Sequence, residues 1–318
     1  MTERTPTLRG TDLEVGPYVL GTMDFGGQVD EPTARELVGV ARDAGITMFD
    51  TSNHYVQGRS EEVLGRIVEP FRDEVLLATK VGSQGGERPL SAAVIRREVE
   101  TSLRRLRTDR IDLYYLHRPD WETPIDETLE VLQELVAEGK VRHLAQSNYA
   151  AWQLADMIHR AGDQPVPRVS QQCYNLVARR LDEEYAAFAA AFNVPTIAYN
   201  PLAGGLLTGK HDLSKGVPPG TRFEAKWYRE TYWNPPHFTA VTELQGIADD
   251  LGWTLTELAL RWLRHQPVVD GILVGASKVD HLRQNLAALE GPAPDPETEA
   301  RIDAVWRPLR GAAMAYNR

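Results

Sequence analysis

The sequence predicts an α/β fold, a closed (β/α)8 TIM barrel of eight parallel strands, as a single domain over residues 1–318. Short apolar runs alternate with amphipathic helical segments almost to the end of the chain. Each connecting helix must cover the sheet, and eight parallel strands can close into a barrel. Such barrels commonly exceed about 250 residues as one domain. An open, doubly wound sheet is the alternative.

Eight short apolar runs are the predicted strands, and a stretch rich in turn residues before them predicts an N-terminal β-hairpin. The hairpin contains Arg9-Gly10-Thr11 and ends near Gly16-Pro17. The strands are predicted over residues 19–23, 47–50, 75–80, 111–117, 142–145, 169–172, 196–199 and 271–274.

Apolar residues at helical spacing predict the helices between these strands. Ile95, Val99, Leu103 and Leu106 recur at the spacing of one helix face. The arginines between them are predicted to form an exposed face: Arg96, Arg97, Arg104 and Arg105. Further helices are predicted over residues 126–138, 255–265 and 297–306.

One long segment, Ala203–Phe238, interrupts the alternation of strands and helices. It is rich in glycine, proline and aromatic residues. Loops longer than about 15 residues inside a domain usually either cover a functional site or are disordered, and the aromatic residues favour a cover. We therefore predict a long loop over the carboxyl-terminal mouth of the barrel. Its aromatic residues are Trp227, Tyr228, Tyr232 and Trp233.

Composition restricts the classes of partner. The chain has 35 Lys plus Arg against 45 Asp plus Glu, a formal charge of −10, which disfavours binding to nucleic acid. The single cysteine, Cys173, cannot form an internal disulfide, and no His/Cys cluster has metal-binding spacing. We found neither a signal-peptide pattern nor an apolar run long enough to span a membrane. A cytoplasmic location, without a metal or a membrane partner, is expected.

Titratable residues end three successive predicted strands. Asp50, Lys80 and His117 close the second, third and fourth strands, and Tyr55 follows Asp50 by five residues. Active sites of parallel barrels lie at these strand ends. A tyrosine hydroxyl with a pKa of about 10 needs a nearby positive charge to give up its proton near neutral pH, and Lys80 can supply that charge. Asp50 can pair with the buried lysine, and His117 can position a substrate carbonyl.

These residues and their surroundings resemble the aldo-keto reductase family. Gly45–Tyr55, followed by Gly58-Arg59-Ser60-Glu61, resembles the most specific motif of the family. Lys80 and His117 match two further catalytic positions, and the similarity extends to about Leu289. The resemblance implies NADPH/NADP+ as the cofactor and an aldehyde or ketone as the substrate. The implied catalytic tetrad is Asp50, Tyr55, Lys80 and His117.

The resemblance also implies the positions that bind the cofactor. In the family, the run Tyr199–Lys210 holds the pyrophosphate, and the segment from Gly275 through Asn285 holds the adenosine 2′-phosphate. Ser277 and Asp280 also fit a capping box, and a helix N-terminus with a nearby lysine attracts a phosphate. The implied contacts are Thr22, Asp50, Ser147, Asn148, Gln171, Tyr199, Pro201, Leu202, Gly204, Leu206, Lys210, Gly275, Ser277, Lys278, His281 and Asn285. A P-loop reading of Gly204–Lys210 fails because His211 stands where magnesium binding requires Ser or Thr.

Several positions depart from the family pattern. Val56 follows the catalytic tyrosine where a glycine is common, and Ser52 replaces a usual alanine. These departures bear on the shape of the substrate pocket. The candidate pocket residues are Met23, Asp24, His54, Trp227 and Trp233.

The predicted function is reduction of an aldehyde or ketone by hydride transfer from NADPH. Tyr55 is the proton donor, assisted by Lys80 and Asp50, and His117 positions the carbonyl. One alternative is a nucleotide-binding regulatory subunit resembling the potassium-channel β subunits. If the chain is an enzyme, it is either a reductase of broad specificity for reactive or xenobiotic aldehydes or one of narrow specificity for a keto-sugar or secondary metabolite. The sequence indicates no particular oligomeric state.

Overall fold

Eight parallel strands, in chain order, close into one barrel in the computed structural model, which describes residues 7–83, 86 and 88–312. The predicted barrel is confirmed, and the open-sheet alternative is wrong. The strands are β1 (Tyr18–Gly21), β2 (Met48–Asp50), β3 (Leu76–Val81), β4 (Ile111–Leu116), β5 (Val141–Ser147), β6 (Val169–Cys173), β7 (Thr196–Tyr199) and β8 (Gly271–Val274).

The register of the strands brings their polar carboxyl ends level. Gly21 at the end of β1 lies opposite Asp50 at the end of β2, and Asp50 lies opposite Ala78 of β3. At the end of β5, Ser147 lies opposite Gln171 of β6. Because parallel strands share one carboxyl edge, polar residues that are far apart in sequence meet there.

Helices follow or flank most of the strands. They are α1 (Glu31–Asp43), α2 (Arg59–Val68), α3 (Ala92–Leu106), α4 (Ile125–Ala137), α5 (Ala151–Ala161), α6 (Tyr185–Ala191), α7 (Lys226–Tyr232), α8 (Pro235–Asp250), α9 (Leu255–Arg264), α10 (Val279–Leu289) and α11 (Pro296–Arg310). The four helices predicted from apolar periodicity correspond to α3, α4, α9 and α11. α11 ends later than predicted, with Pro308 inside its last turn.

The segment predicted as a long loop also contains helical structure. Ala203–Thr208 forms a 3₁₀ turn, and α7 and the beginning of α8 lie within the same stretch. α8 begins with two prolines, which suit the first helical turn, and the side chain of Asn234 accepts a hydrogen bond from the His237 N–H. Part of the proline-rich sequence that predicted a loop therefore marks the start of α8.

The N-terminal hairpin packs its apolar residues into the barrel core. Thr7 forms an antiparallel bridge with Glu14, and the Leu8 N–H donates to the Leu13 carbonyl at 2.8 Å. Leu8, Leu13 and Val15 are buried in one cluster with inward residues of the strands. Filling the barrel with apolar side chains leaves its carboxyl end for polar groups.

The chain divides into two compact units. The first contains the described residues of Met1–Gln172 together with Phe188–Ile197 and Asp270–Arg283. The second contains Cys173–Ala187, Ala198–Val269 and the described residues of Gln284–Arg318. The prediction of one domain stays a prediction. Among the described residues, no helix combines the length and apolar character needed to cross a membrane.

Candidate active site

A buried ion pair lies at the carboxyl ends of β2 and β3 in the first unit. Asp50 and Lys80 are both fully buried. The Lys80 Nζ donates to Asp50 Oδ1 and, at 2.8 Å, to the carbonyl oxygen of Thr51. Asp50 Oδ2 accepts from Gln171 Nε2 at 2.9 Å. Both carboxylate oxygens therefore have partners, as a buried charge requires.

Burial shifts both members of this pair toward their neutral forms. It raises the pKa of Asp50 and lowers the pKa of Lys80, while the attraction between the two charges opposes both shifts. Each residue thus depends on the other to remain charged.

Tyr55 and His117 lie beside this pair. The Lys80 Nζ is 5.2 Å from the centroid of the Tyr55 ring. The Tyr55 and His117 rings meet edge to face, with centroids 5.8 Å apart. Tyr55 is only half-buried, unlike Asp50 and Lys80. The structure therefore brings the four predicted catalytic residues together, with Tyr55 and His117 more accessible than the buried ion pair.

The turn that carries Tyr55 has an unusual backbone. Val56, Gln57 and Gly58 all have positive φ, at 48°, 58° and 90°. This conformation costs a non-glycine residue about 1–2 kcal/mol, so surrounding contacts must hold it. The backbone angle at Gly58 favours glycine, and a Cβ there would lie 2.3 Å from the Arg105 Cζ, so the guanidinium would have to move.

Arg105 of α3 supports this turn from behind. Its Nη1 donates to the Asn53 carbonyl and to Glu61 Oε2, each at 3.2 Å. Glu61 is buried, which raises its pKa, and it also accepts from Thr79 Oγ1 at 2.7 Å. The predicted solvated face was therefore wrong for Arg105, because a buried carboxylate beside α3 needs a cationic partner. The prediction holds for three arginines that bond only along the exposed surface: Arg96, Arg97 and Arg104.

His117 directly follows β4, and its environment keeps it neutral. Its Nδ1 lies 3.2 Å from Ser52 Oγ, and its carbonyl oxygen accepts from Asn148 Nδ2 at 2.9 Å. Burial lowers the pKa of His117 well below its usual range, and the positive charges of Lys80 and Arg118 lower it further. A neutral imidazole can donate one hydrogen bond and accept another.

Because the pKa of His117 is lowered in the folded protein, we expect the free energy of unfolding to depend on pH. In the unfolded chain this residue titrates near a pKa of about 6.5, so acidification adds a proton to the unfolded state first. We expect the free energy of unfolding to fall below pH 7 by up to about 1.4 kcal/mol per pH unit from this group. His117→Asn removes that contribution, so its urea midpoint declines less between pH 7 and 5.5. The control is His159→Asn, on the exposed side of α5. Equal slopes in the wild type and His117→Asn would contradict the assignment.

The cofactor positions predicted near the tetrad already bond to one another. Ser147 Oγ donates to the Gln171 carbonyl at 2.8 Å, and Asn148 Nδ2 lies 3.0 Å from Ser147 Oγ. Thr22 Oγ1 donates to the Asp50 carbonyl at 3.0 Å. Together with the bond from Gln171 to Asp50, these contacts connect the carboxyl ends of β1, β2, β5 and β6.

The segment after β8 is open to solvent. Gly275, Ser277, Lys278 and His281 are exposed, and Lys278 directly precedes α10. The capping box of Ser277 and Asp280 stays a prediction. A groove of about 670 Å³ is lined by Ser277 and Lys278 together with residues of α1 and α10. Asn285, half-buried, lies further along α10.

In the second unit, β7 leads into a tight turn. Tyr199 is half-buried, and Asn200 and Ala203 have φ of 60° and 50°. Gly204, with φ of 69°, donates its N–H to Asn200 Oδ1 at 2.7 Å. A Cβ there would lie 2.7 Å from the Tyr228 ring, so a larger residue does not fit. The other predicted positions of this loop are Pro201 and Leu202, half-buried, Leu206, buried, and Lys210, exposed.

The candidate pocket residues occupy different environments. Trp227 is 48% exposed, whereas Trp233 packs against Phe223 with ring centroids 4.9 Å apart. Tyr232 is buried, and its hydroxyl accepts from Asn200 Nδ2 at 2.9 Å, so it supports the fold of its unit. In the first unit, Met23 and Asp24 are half-buried after β1, and His54 is exposed beside Tyr55.

Sequence reasoning missed residues that act through hydrogen bonds between elements. Arg105 was assigned to the surface, and Ser52 was considered only for substrate shape. The one available signal for Ser52 was its place between Asp50 and Tyr55 in the most specific motif. Cys173 is the last residue of β6, and its Sγ lies 3.4 Å from the Tyr232 hydroxyl. No group of His, Cys, Asp and Glu suited to a metal ion occurs in the described part of the chain.

Comparisons with known proteins agree with this geometry. A profile of the Aldo/keto reductase family matches residues 17–307. The chain is 35% identical to aflatoxin B1 aldehyde reductase member 2 of Rattus norvegicus, covering 99% of this chain and 92% of that protein. It is 34% identical to aldo-keto reductase YhdN of Bacillus subtilis (strain 168), covering 94% and 92%. It is 32% identical to a probable voltage-gated potassium channel subunit beta of Oryza sativa subsp. japonica, covering 94% and 93%.

The family match spans the barrel and the segments that carry the tetrad. The family implies a nicotinamide cofactor and a small-molecule carbonyl substrate. This chain therefore belongs to the aldo/keto reductase family and is an oxidoreductase that acts on carbonyl groups.

Proposed function

We propose that this enzyme reduces an aldehyde or ketone to an alcohol with NADPH as the hydride donor. The observation that carries the proposal is the buried Asp50–Lys80 pair, with the half-buried Tyr55 and the neutral His117 beside it. This arrangement places a proton donor, a positive charge held by Asp50 and a neutral hydrogen-bond donor in one place. These are the groups that reduction of a carbonyl requires.

Each residue has a distinct task. A bound NADPH supplies the hydride to the carbonyl carbon. Tyr55 Oη gives its proton to the carbonyl oxygen, and the Lys80 ammonium stabilises the phenolate that remains. Asp50 keeps Lys80 charged despite its burial. His117 donates a hydrogen bond from Nε2 to the carbonyl oxygen and orients the substrate.

The chain offers suitable groups for the phosphates of NADPH. Within residues 7–83, 86 and 88–312, Lys210 and Lys278 are exposed and form no ion pair. Lys278 precedes α10, and Lys210 follows the turn of Ala203–Thr208. Unpaired cations beside a helix start and a turn of left-handed residues suit anionic oxygens.

We assign the remaining cofactor contacts by similarity to the family. By this assignment Ser147, Asn148 and Gln171 would hold the carboxamide, Tyr199 would contact the nicotinamide, and Thr22 would contact its ribose. Around the phosphates we assign Pro201, Leu202, Gly204, Leu206, Lys210, Gly275, Ser277, Lys278, His281 and Asn285.

Lys278 supplies a test of the preference for NADPH. We expect Lys278→Ala to raise the KM for NADPH by about 10- to 100-fold, the equivalent of one charge-assisted hydrogen bond, and to leave the KM for NADH nearly unchanged. Steady-state kinetics with both cofactors measure this difference. The matched control is Lys226→Ala, an exposed lysine of α7. An equal loss for NADPH and NADH would remove Lys278 from the 2′-phosphate site.

We propose reactive aldehydes as the substrate class, a choice supported by the relatives named aflatoxin B1 aldehyde reductase. Met23, Asp24, His54, Trp227 and Trp233 stay the candidate pocket residues. The single cysteine is typical of proteins in a reducing compartment, and we assign the enzyme to the cytoplasm.

The first experiment follows NADPH oxidation with nitrobenzaldehyde and with a series of keto-sugars, with NADPH binding measured by fluorescence. Turnover of simple aldehydes supports the proposal. Preference for one keto-sugar by several orders of magnitude would instead identify a narrow reductase. Tight NADPH binding without turnover of any carbonyl would favour a regulatory subunit, the role suggested by the relatives named as channel β subunits.

A further inference from the structure

We infer that Ser52 is a positioning residue that fixes the tautomer of His117; the inference rests on the proposed function of His117. Ser52 is fully buried between β2 and the turn of Tyr55. Its Oγ lies 3.2 Å from His117 Nδ1. The same Oγ accepts a hydrogen bond from the His54 backbone N–H at 3.4 Å.

The direction of these two bonds follows from the number of protons available. A backbone N–H can only donate, so the His54 N–H uses an acceptor site of Ser52 Oγ. The serine hydroxyl has one proton, and within the described residues His117 Nδ1 is the acceptor in reach of it. If Nδ1 carried the proton instead, the buried serine proton would have no partner, which costs free energy. Ser52 therefore donates to Nδ1.

This direction determines what the other side of the imidazole does. A neutral His117 that accepts at Nδ1 carries its proton on Nε2. Nε2–H is then the donor that the proposed mechanism assigns to the substrate carbonyl. The opposite tautomer would present a lone pair to that oxygen and repel it. Ser52 acts through His117 and has no assigned contact with the substrate.

The surroundings of His117 add to the same bias. Lys80, Arg118 and His54 all disfavour its protonated form, and the Tyr55 ring packs edge-on against it. The hydrogen bond from Ser52 stabilises the neutral imidazole as well. Removing that bond raises the pKa of His117 and lets the second tautomer become populated.

The direct test is ¹⁵N NMR of the His117 ring, assigned by comparison with His117→Asn. We expect the wild type to show the Nε2–H pattern at pH 7.5 and Ser52→Ala to show a mixture or a displaced Nδ1 resonance. The control is Ser91→Ala. Ser91 lies at the start of α3, and its hydroxyl accepts no hydrogen bond from a backbone N–H of that helix. An Nδ1–H pattern in the wild type, or an unchanged pattern in Ser52→Ala, would overturn the inference. Because this readout needs no turnover, it is independent of the proposed function.

Activity gives a second readout. We expect kcat of Ser52→Ala to fall by about 2- to 12-fold, the equivalent of one neutral hydrogen bond, with the KM for NADPH unchanged. Protonation of His117 removes the neutral imidazole, so we expect kcat to fall at low pH. Because the loss of the Ser52 bond raises the pKa of His117, this acid limb of the kcat profile should move to higher pH in Ser52→Ala. A loss of kcat without any movement of the acid limb would indicate a merely structural role and contradict the inference.

If Ser52→Ala does not fold, the same measurements are made on two variants whose side chains have nearly the same shape. Ser52→Thr keeps the hydroxyl, Ser52→Val lacks it, and both add the same bulk to the buried site. The Nε2–H pattern and the position of the acid limb should be retained by the threonine variant and lost by the valine variant. Identical behaviour of the two variants would overturn the inference.

Discussion

Tyr55→Phe is expected to lower the rate of carbonyl reduction by about 10²- to 10⁴-fold, the usual contribution of a positioned proton donor. The variant removes one hydroxyl and keeps the ring that packs beside Lys80 and against His117. Binding of NADPH should therefore persist, because none of the assigned cofactor contacts is removed. Stopped-flow measurement of NADPH oxidation separates the chemical step from product release.

The structure provides a matched control for this substitution. Tyr114 lies on β4 of the same barrel, fully buried, and its hydroxyl has no hydrogen-bond partner among the described residues. Tyr114→Phe removes the same atom without touching the tetrad, and it should retain wild-type turnover. Full activity of Tyr55→Phe would show that another group supplies the proton. Loss of NADPH binding in Tyr55→Phe would show that the variant damages the site as a whole.

The grouping of the tetrad could be predicted because it depends on local sequence and one topological rule. Asp50 ends β2, Lys80 is next to last in β3, and His117 follows β4. Once the strands are parallel neighbours, these positions share one edge, whatever the details of packing. The short runs also predicted all eight strands, because most residues of buried parallel strands are apolar, although β5 and β6 carry several polar residues.

The contacts of Arg105 and Ser52 that hold the tetrad in place could not be predicted from the sequence. Arg105 looks like its neighbours on α3, and only the packing of α3 against α2 turns it toward Glu61. The role of Ser52 depends on the distance from β2 to His117, which no spacing in the sequence encodes. Within the predicted loop, α7 is only seven residues long, so its own periodicity is too weak to distinguish it from a loop.

Lys80→Met is expected to destabilise the protein by about 3–5 kcal/mol, because it leaves the Asp50 carboxylate buried without its cation. Turnover should be lost as well, since the positive charge that stabilises the Tyr55 phenolate is removed. Urea unfolding and NADPH oxidation measure the two effects separately. Lys226→Met, at a lysine side chain that is 79% exposed, should change the free energy of unfolding by no more than about 0.5 kcal/mol.

The double variant Asp50→Asn/Lys80→Met separates the two roles of the pair. It buries no charge, so most of the stability lost in Lys80→Met should return, while turnover should stay as low as in the single variant. Acidification should also reduce the destabilisation of Lys80→Met, because burial raises the pKa of Asp50 and protonation removes its charge. The difference in unfolding free energy between Lys80→Met and the wild type should therefore shrink from pH 8 toward pH 5. Recovery of turnover in the double variant would show that the charge of Lys80 serves stability alone, and the proposed mechanism would then lose its account of how Tyr55 gives up a proton.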